Sequence, residues 1–151
     1  NLHTRNQYHD LFRTRKILKT YQAIANISGD EKIIGQTWEV KNRIVHCEPR
    51  FRMCVVEGEA NSHSVIRCLQ QSDHQALFEL NPVTGKTHQL RVHMQTLGHP
   101  ILNDNYYPNL KALSADDYSA PLQLLAMKLQ FNDPVTQLPR RFSYESHLSL
   151  S

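Results

Sequence analysis

The spacing of apolar residues changes character several times along the chain, and those changes mark its elements. Between positions 5 and 15, Tyr8, Leu11 and Phe12 recur at i, i+3, i+4 with Arg5, Arg13 and Arg15 outside them, which predicts a short helix. The period then shortens. Leu18, Tyr21, Ala23, Ile24, Ala25 and Ile27 form a mostly apolar run closed by Ser28, Gly29 and Asp30, as expected of a strand buried on both faces and its turn. From 31 to 56 the apolar stretches are short (Ile33-Ile34, Trp38-Glu39-Val40, Met53-Cys54-Val55-Val56) and broken by Asn42 and Pro49, so hairpins are expected. A turn at Gly58 to Ala60, a strand from Ser64 to Leu69, a tight connection through Ser72-Asp73 and a partner strand from Ala76 to Leu80 follow. Leu122 to Phe131 and Arg141 to Leu148 read as two more strands, joined through Asp133-Pro134-Val135-Thr136.

The densest run of signals lies between Asn81 and Pro100. Leu90, Met94 and Leu97 recur at i, i+4, i+7, Thr84 is a candidate N-cap, Gly98 suits the left-handed position after the last turn, and Pro100 blocks continuation. A helix over 86–97 is predicted. Its second face carries His88, Arg91 and Gln95, with Lys86 at the positive N-terminal end, so it suits an anion; an exposed polar helix face is the competing reading. Gly85-Lys86-Thr87 is not a phosphate-cradling loop, because that loop needs a second glycine where Leu80 stands. The strand–turn–helix order puts Lys86 and His88 at a sheet edge, and the loop Ile101 to Pro108 adds Tyr106 and Tyr107, aromatics of the kind that stack on bases. Tyr21, judged by residue type alone, is more often a core aromatic with its hydroxyl satisfied than a catalytic group.

Thr84-Gly85-Lys86-Thr87-His88-Gln89-Leu90-Arg91-Val92-His93, followed by Leu97-Gly98-His99-Pro100-Ile101 and by Asp104 with Tyr106-Tyr107, resembles the RluA family of pseudouridine synthases. The Lys19-Thr20-Tyr21 segment, the Gly58-Glu59-Ala60 turn and the hairpin from Leu124 to Pro139 agree with the same family, so the resemblance runs from Arg5 to His147. It implies an α+β fold, with a mixed, mainly antiparallel sheet and a few helices, in which residues 1–151 form a single domain. It also implies isomerisation of uridine to pseudouridine in ribosomal or transfer RNA, without metal or organic cofactor. In that reading Tyr21 stacks on the target base and helps take the C5 proton, and Arg91 pairs with the catalytic aspartate and keeps it ionised. Lys86, His88, Lys19 and Arg15 are the candidate RNA contacts.

One departure is large. The family's aspartate stands in a His-Arg-Leu-Asp type motif roughly thirty residues before this tyrosine, whereas only twenty residues precede Tyr21 and no such run occurs in the chain. The expectation is therefore the C-terminal part of a catalytic domain whose nucleophile lies outside these 151 residues, inactive when assayed alone, with Arg91 facing solvent or a bound anion. The alternative is a non-catalytic RNA-binding module of the same fold.

Composition narrows this only slightly. With 40% hydrophobic and 21% charged residues, no apolar run near eighteen residues and no signal-peptide pattern, a cytoplasmic protein without membrane segments is expected, and a monomer. A net charge of +3 does not by itself mark a nucleic-acid binder; the clustering of Arg5, Arg13, Arg15, Lys16 and Lys19 says more. Cys47, Cys54 and Cys68, odd in number and without a C-x-x-C pair, read as reduced packing residues, and the nine histidines lack metal-ligand spacing.

Overall fold

Seven strands and one α-helix are defined among the residues that the computed structural model describes, namely 17–111, 120–132, 136, 138–143 and 148–150. In chain order they are β1 (Leu18–Asn26), β2 (Thr37–Cys47), β3 (Arg52–Val56), β4 (Ser62–Gln71), β5 (Gln75–Pro82), α1 (Gln89–Thr96), β6 (Leu124–Asn132) and β7 (Pro139–Ser143). They form one sheet in the order β3-β2-β4-β5-β1-β6-β7. The expected α+β fold is present: every described strand pairing is antiparallel, and one helix lies among the described residues. The helix expected at 5–15 falls outside the described residues.

Three local expectations need correction. Only Ala23, Ile24 and Ala25 of β1 are fully buried; the stretch from Lys19 to Gln22 is half-exposed because that end of the strand borders a cleft. Asn42 does not interrupt β2. It is the residue at which β2 changes partner, pairing with β4 up to Asn42 and with β3 from Arg43 onward. Asn61 fills the gap, its side chain exchanging two hydrogen bonds with the backbone of Ile44 at 2.8 and 2.9 Å. Cys47 and Cys54 are joined in a disulfide rather than reduced. Pairing of β2 with β3 sets Val45 opposite Cys54 and Cys47 opposite Arg52, so the cysteines are diagonal neighbours with Cα atoms 5.8 Å apart, well inside bridging range. Counting cysteines tests for a framework and misses a single cross-strand pair. Cys68 is free and buried, and burial pushes its thiol up.

The core lies where β1, β4 and β5 meet the helix. Ala23, Ile66, Phe78 and Leu80 pack with Leu90 and Met94, and Leu97 covers the edge, so the predicted apolar stripe is the buried face of α1. The helix starts later than 86. His88 is its N-cap, held in the left-handed region at φ 53°, and the Thr84 hydroxyl instead accepts from the His63 amide and donates to Gln89 Oε1. Its far end matches the prediction: Gly98 has φ 86°, its N–H donates to Gln95 O, and His99 N–H donates to Met94 O.

A polar pin fixes the rotation of this helix. His93 is fully buried, with Nδ1 2.8 Å from Ser64 Oγ and Nε2 2.9 Å from Asn42 Oδ1, while Ser64 Oγ also accepts from Gln89 Nε2. A neutral ring with its proton on Nε2 satisfies all three groups. Burial, aided by the nearby His63, lowers its pKa from 6.5 to about 4. Between those values the unfolded chain takes up a proton that the folded one refuses, so folding stability should fall by ~3 kcal/mol as pH drops through that window. Urea midpoints measured from pH 7 to 4 should show this slope, and His93→Gln should flatten it; an equal slope in the variant would contradict the assignment.

Candidate functional site

Lys19 and Tyr21, two residues apart and so on one face of β1, stand beside the turn that leads from β5 into α1. The Lys19 ammonium reaches that turn: a Cβ built on Gly85 would lie 3.9 Å from Nζ. Together Lys19, Tyr21, Gly85, Lys86, His88 and Arg91 line an open cavity of about 360 Å³, floored in part by Leu122 and Leu124. The size is at the lower end for a small-ligand site (~300–1,000 Å³). Five of the six site residues taken from the sequence thus border one cleft. Arg15 lies outside the described residues, and Gln95, one turn further along α1, does not border it.

Arg91 does not face solvent or a free anion as expected. Its Nε and Nη2 donate to Asp104 Oδ2 and Oδ1 at 3.0 and 2.7 Å, a planar two-point pair with an aspartate side chain only 1% exposed. Asp104 Oδ1 also accepts from the amides of Tyr106 and Tyr107 at 2.9 and 3.1 Å. Asp104 thus both caps the turn and holds the ion pair. The pair arises because the chain reverses at Gly98 and runs back along the helix, a non-local event that neither segment announces.

The tyrosines of the same loop close around this pair. Tyr106 lies with its ring 4.5 Å from the Arg91 guanidinium, a cation–π contact, and 5.5 Å from the His88 ring. Tyr107 is buried; its hydroxyl accepts from Met53 N at 2.7 Å and lies 3.0 Å from His88 Nδ1, to which it donates. Burial, and then the positive Arg91, lower the His88 pKa, with Asp104 opposing them. His88 therefore offers the cleft a neutral ring with Nε2–H as donor, rather than the charge its helical face suggested. Positive charge in the cleft rests on Lys19 and Lys86, and on an Arg91 largely offset by Asp104.

A family model for RNA pseudouridylate synthase matches residues 1–96, and the chain belongs to that family. Among its relatives, the dual-specificity RNA pseudouridine synthase RluA of Yersinia pestis is 33% identical over 141 residues, 89% of this chain and 64% of that protein. The RluA of Salmonella typhi is 40% identical over 89 residues, 57% of this chain and 38% of that protein. The chain thus spans between about a third and just under two thirds of such relatives. Two solved structures share the fold: human RNA pseudouridylate synthase domain containing 4 (TM-score 0.67, 24% identity, 96% of this chain and 64% of that one) and domain containing 1 (TM-score 0.70, 21%, 93% and 59%).

Asp104→Ala would leave a guanidinium with little solvent access unpaired and two turn amides without an acceptor. A loss of about 3–5 kcal/mol in unfolding free energy is expected. A loss under about 1 kcal/mol in urea denaturation would show that the pair does not hold the loop.

Proposed function

We propose that the protein containing this chain is an RNA pseudouridine synthase, acting on a uridine of ribosomal or transfer RNA and needing neither metal nor organic cofactor. The single observation that carries this is the meeting of Tyr21, Lys19, Lys86, His88 and Arg91 at one cleft. The reaction breaks the N1–C1′ bond, turns the uracil, and makes a C5–C1′ bond while C5 loses a proton and N1 gains one. The base must first leave its stack, so the site needs a ring to receive it, cations for the neighbouring phosphates, and a carboxylate at the sugar.

Each residue supports a part of this. Tyr21 on β1 receives the uracil face and stands near the C5 proton. Lys19 and Lys86 neutralise flanking phosphates, a role that Arg15 extends, and His88 Nε2–H donates to a base or phosphate oxygen. The carboxylate comes from outside these 151 residues, and Arg91, whose Nε–Nη2 edge belongs to Asp104, holds it through Nη1. The whole assembly works as a monomer in the cytoplasm, with residues 1–151 as part of a single catalytic domain. The family membership supports catalysis over the alternative of a bare RNA-binding module.

Arg91→Lys in the full-length protein tests this reading. Lys keeps one charge but cannot bond Asp104 at two points and still present a third donor group. Pseudouridine formation on total RNA, measured by nucleoside mass spectrometry, should fall by a hundredfold or more while RNA affinity changes less than about fivefold. Turnover near that of the wild type would refute the role of Arg91, and a full-length wild-type protein that makes no pseudouridine would refute catalysis.

A further inference from the structure

A second group of rings and cations stands next to the cleft, on the turn between β2 and β3. Phe51, at its tip, is 48% exposed, and its ring lies 5.1 Å from that of Tyr106, the ring that covers Arg91 and touches His88. Arg50 and Arg52 flank it. The turn is tied down at two points that do not depend on the redox state of Cys47 and Cys54: His46 Nδ1 donates to Arg50 O at 2.9 Å, and Arg52 Nη2 donates to Pro108 O at 3.1 Å. Phe51 is thus an exposed aromatic ring on a pinned support, with little ordering left to be done on binding.

We propose that Phe51 and Tyr106, flanked by Arg50 and Arg52, form a second stacking surface that takes an unpaired nucleotide next to the uridine held in the Tyr21–Arg91 cleft. This rests on the RNA reading above. Phe51 lies two ring contacts, of 5.1 and 5.5 Å, from a cleft-lining residue, so a neighbouring nucleotide of a strand entering the cleft reaches it. Every base has a π-face, and arginines beside the rings neutralise the phosphate that follows. Val55 and Val56 on the adjoining edge strand are also exposed, which would suit a second copy of the chain. A symmetric dimer centred on Phe51, however, would bring the Arg50–Arg52 pairs of both copies together, whereas a polyanion with planar bases meets both features at once.

The test uses the full-length protein and a fluorescein-labelled single-stranded oligouridylate, with binding followed by anisotropy across a salt series. Phe51→Ala and Phe51→Leu should each weaken binding about tenfold at every salt concentration, and Phe51→Trp should restore it. The salt slope should not change in these three variants, since a stacked ring neutralises no phosphate, whereas Arg50→Ala should lower it by about one. Phe142→Ala, at a phenylalanine on β7 that is also exposed, should bind like the wild type. If Phe51→Ala binds within twofold of wild type while the Lys19→Ala, Lys86→Ala double variant is weakened, the second surface is overturned and the RNA reading stands. If the wild type does not bind, both fall. If sedimentation shows a wild-type dimer that Phe51→Ala splits without changing RNA affinity, the surface belongs to a second copy and the proposal is overturned.

Discussion

The ion pair between Arg91 and Asp104 is the interaction on which this side of the molecule depends. A carboxylate removed from water is tolerated only when its oxygens are fully occupied, and Asp104 meets that condition with two guanidinium donors and two backbone amides. The pair is both a fold element and a site element. It staples loop 101–108 against α1, brings Tyr106 over the guanidinium and Tyr107 under His88, and through the Tyr107 hydroxyl reaches the Met53 amide of β3. Tyr106, Tyr107 and the His88 ring they touch are placed by contacts that lead back to it, whereas Tyr21 is placed separately, by the pairing of β1 with β5 and β6.

The rotation of α1 matters equally, because successive helical residues point about 100° apart and a small rotation would carry Arg91 away from the cleft. Three different contacts hold that angle. Leu90 and Met94 sit in the main core, Val92 packs with Ile44, Met53 and Tyr107 on the other side, and His93 is bonded to β2 and β4. An apolar stripe alone specifies a face only loosely, since neighbouring apolar side chains slide past one another; hydrogen bonds from a buried imidazole specify it to within a fraction of an ångström. His93 thus has a positional role although it takes no part in lining the cleft.

What was legible in the sequence was what neighbouring residues decide among themselves. Leu90, Met94 and Leu97 announce the buried stripe, Gly98 the helix stop, and the apolar run after Leu18 the strand that carries Tyr21. The grouping of Lys19, Tyr21, Lys86, His88 and Arg91 was expected from family resemblance, not from periodicity, and the cleft places them together. Features made by distant segments were not legible. Cys47 meets Cys54 only because one register of β2 and β3 makes them diagonal, β2 passes through Asn42 only because Asn61 completes its ladder, and Arg91 finds Asp104 only after the chain has turned back at Gly98. Thr84 failed as a helix cap for a similar reason: the His63 amide of β4 competes for its hydroxyl, and Gln89 takes over by accepting from Lys86 N.

Charge balance in the cleft follows from the same pair. Arg91 and Asp104 together are close to neutral, so a further carboxylate brought against Arg91 would meet one remaining donor group rather than a full cation. Its ionised form would then depend on Lys19 and Lys86, which border the same cavity. Those lysines would at the same time be the groups nearest to incoming phosphates. Under the proposed function an RNA strand and a carboxylate would draw on one small pool of positive charge, and the two demands would be opposed: each phosphate that a lysine neutralised would leave the carboxylate less well compensated and easier to protonate. His88 relieves neither demand by charge, because burial against Tyr106 and Tyr107 lowers its pKa and favours the neutral ring, so the balance between strand and carboxylate would be left to the two lysines.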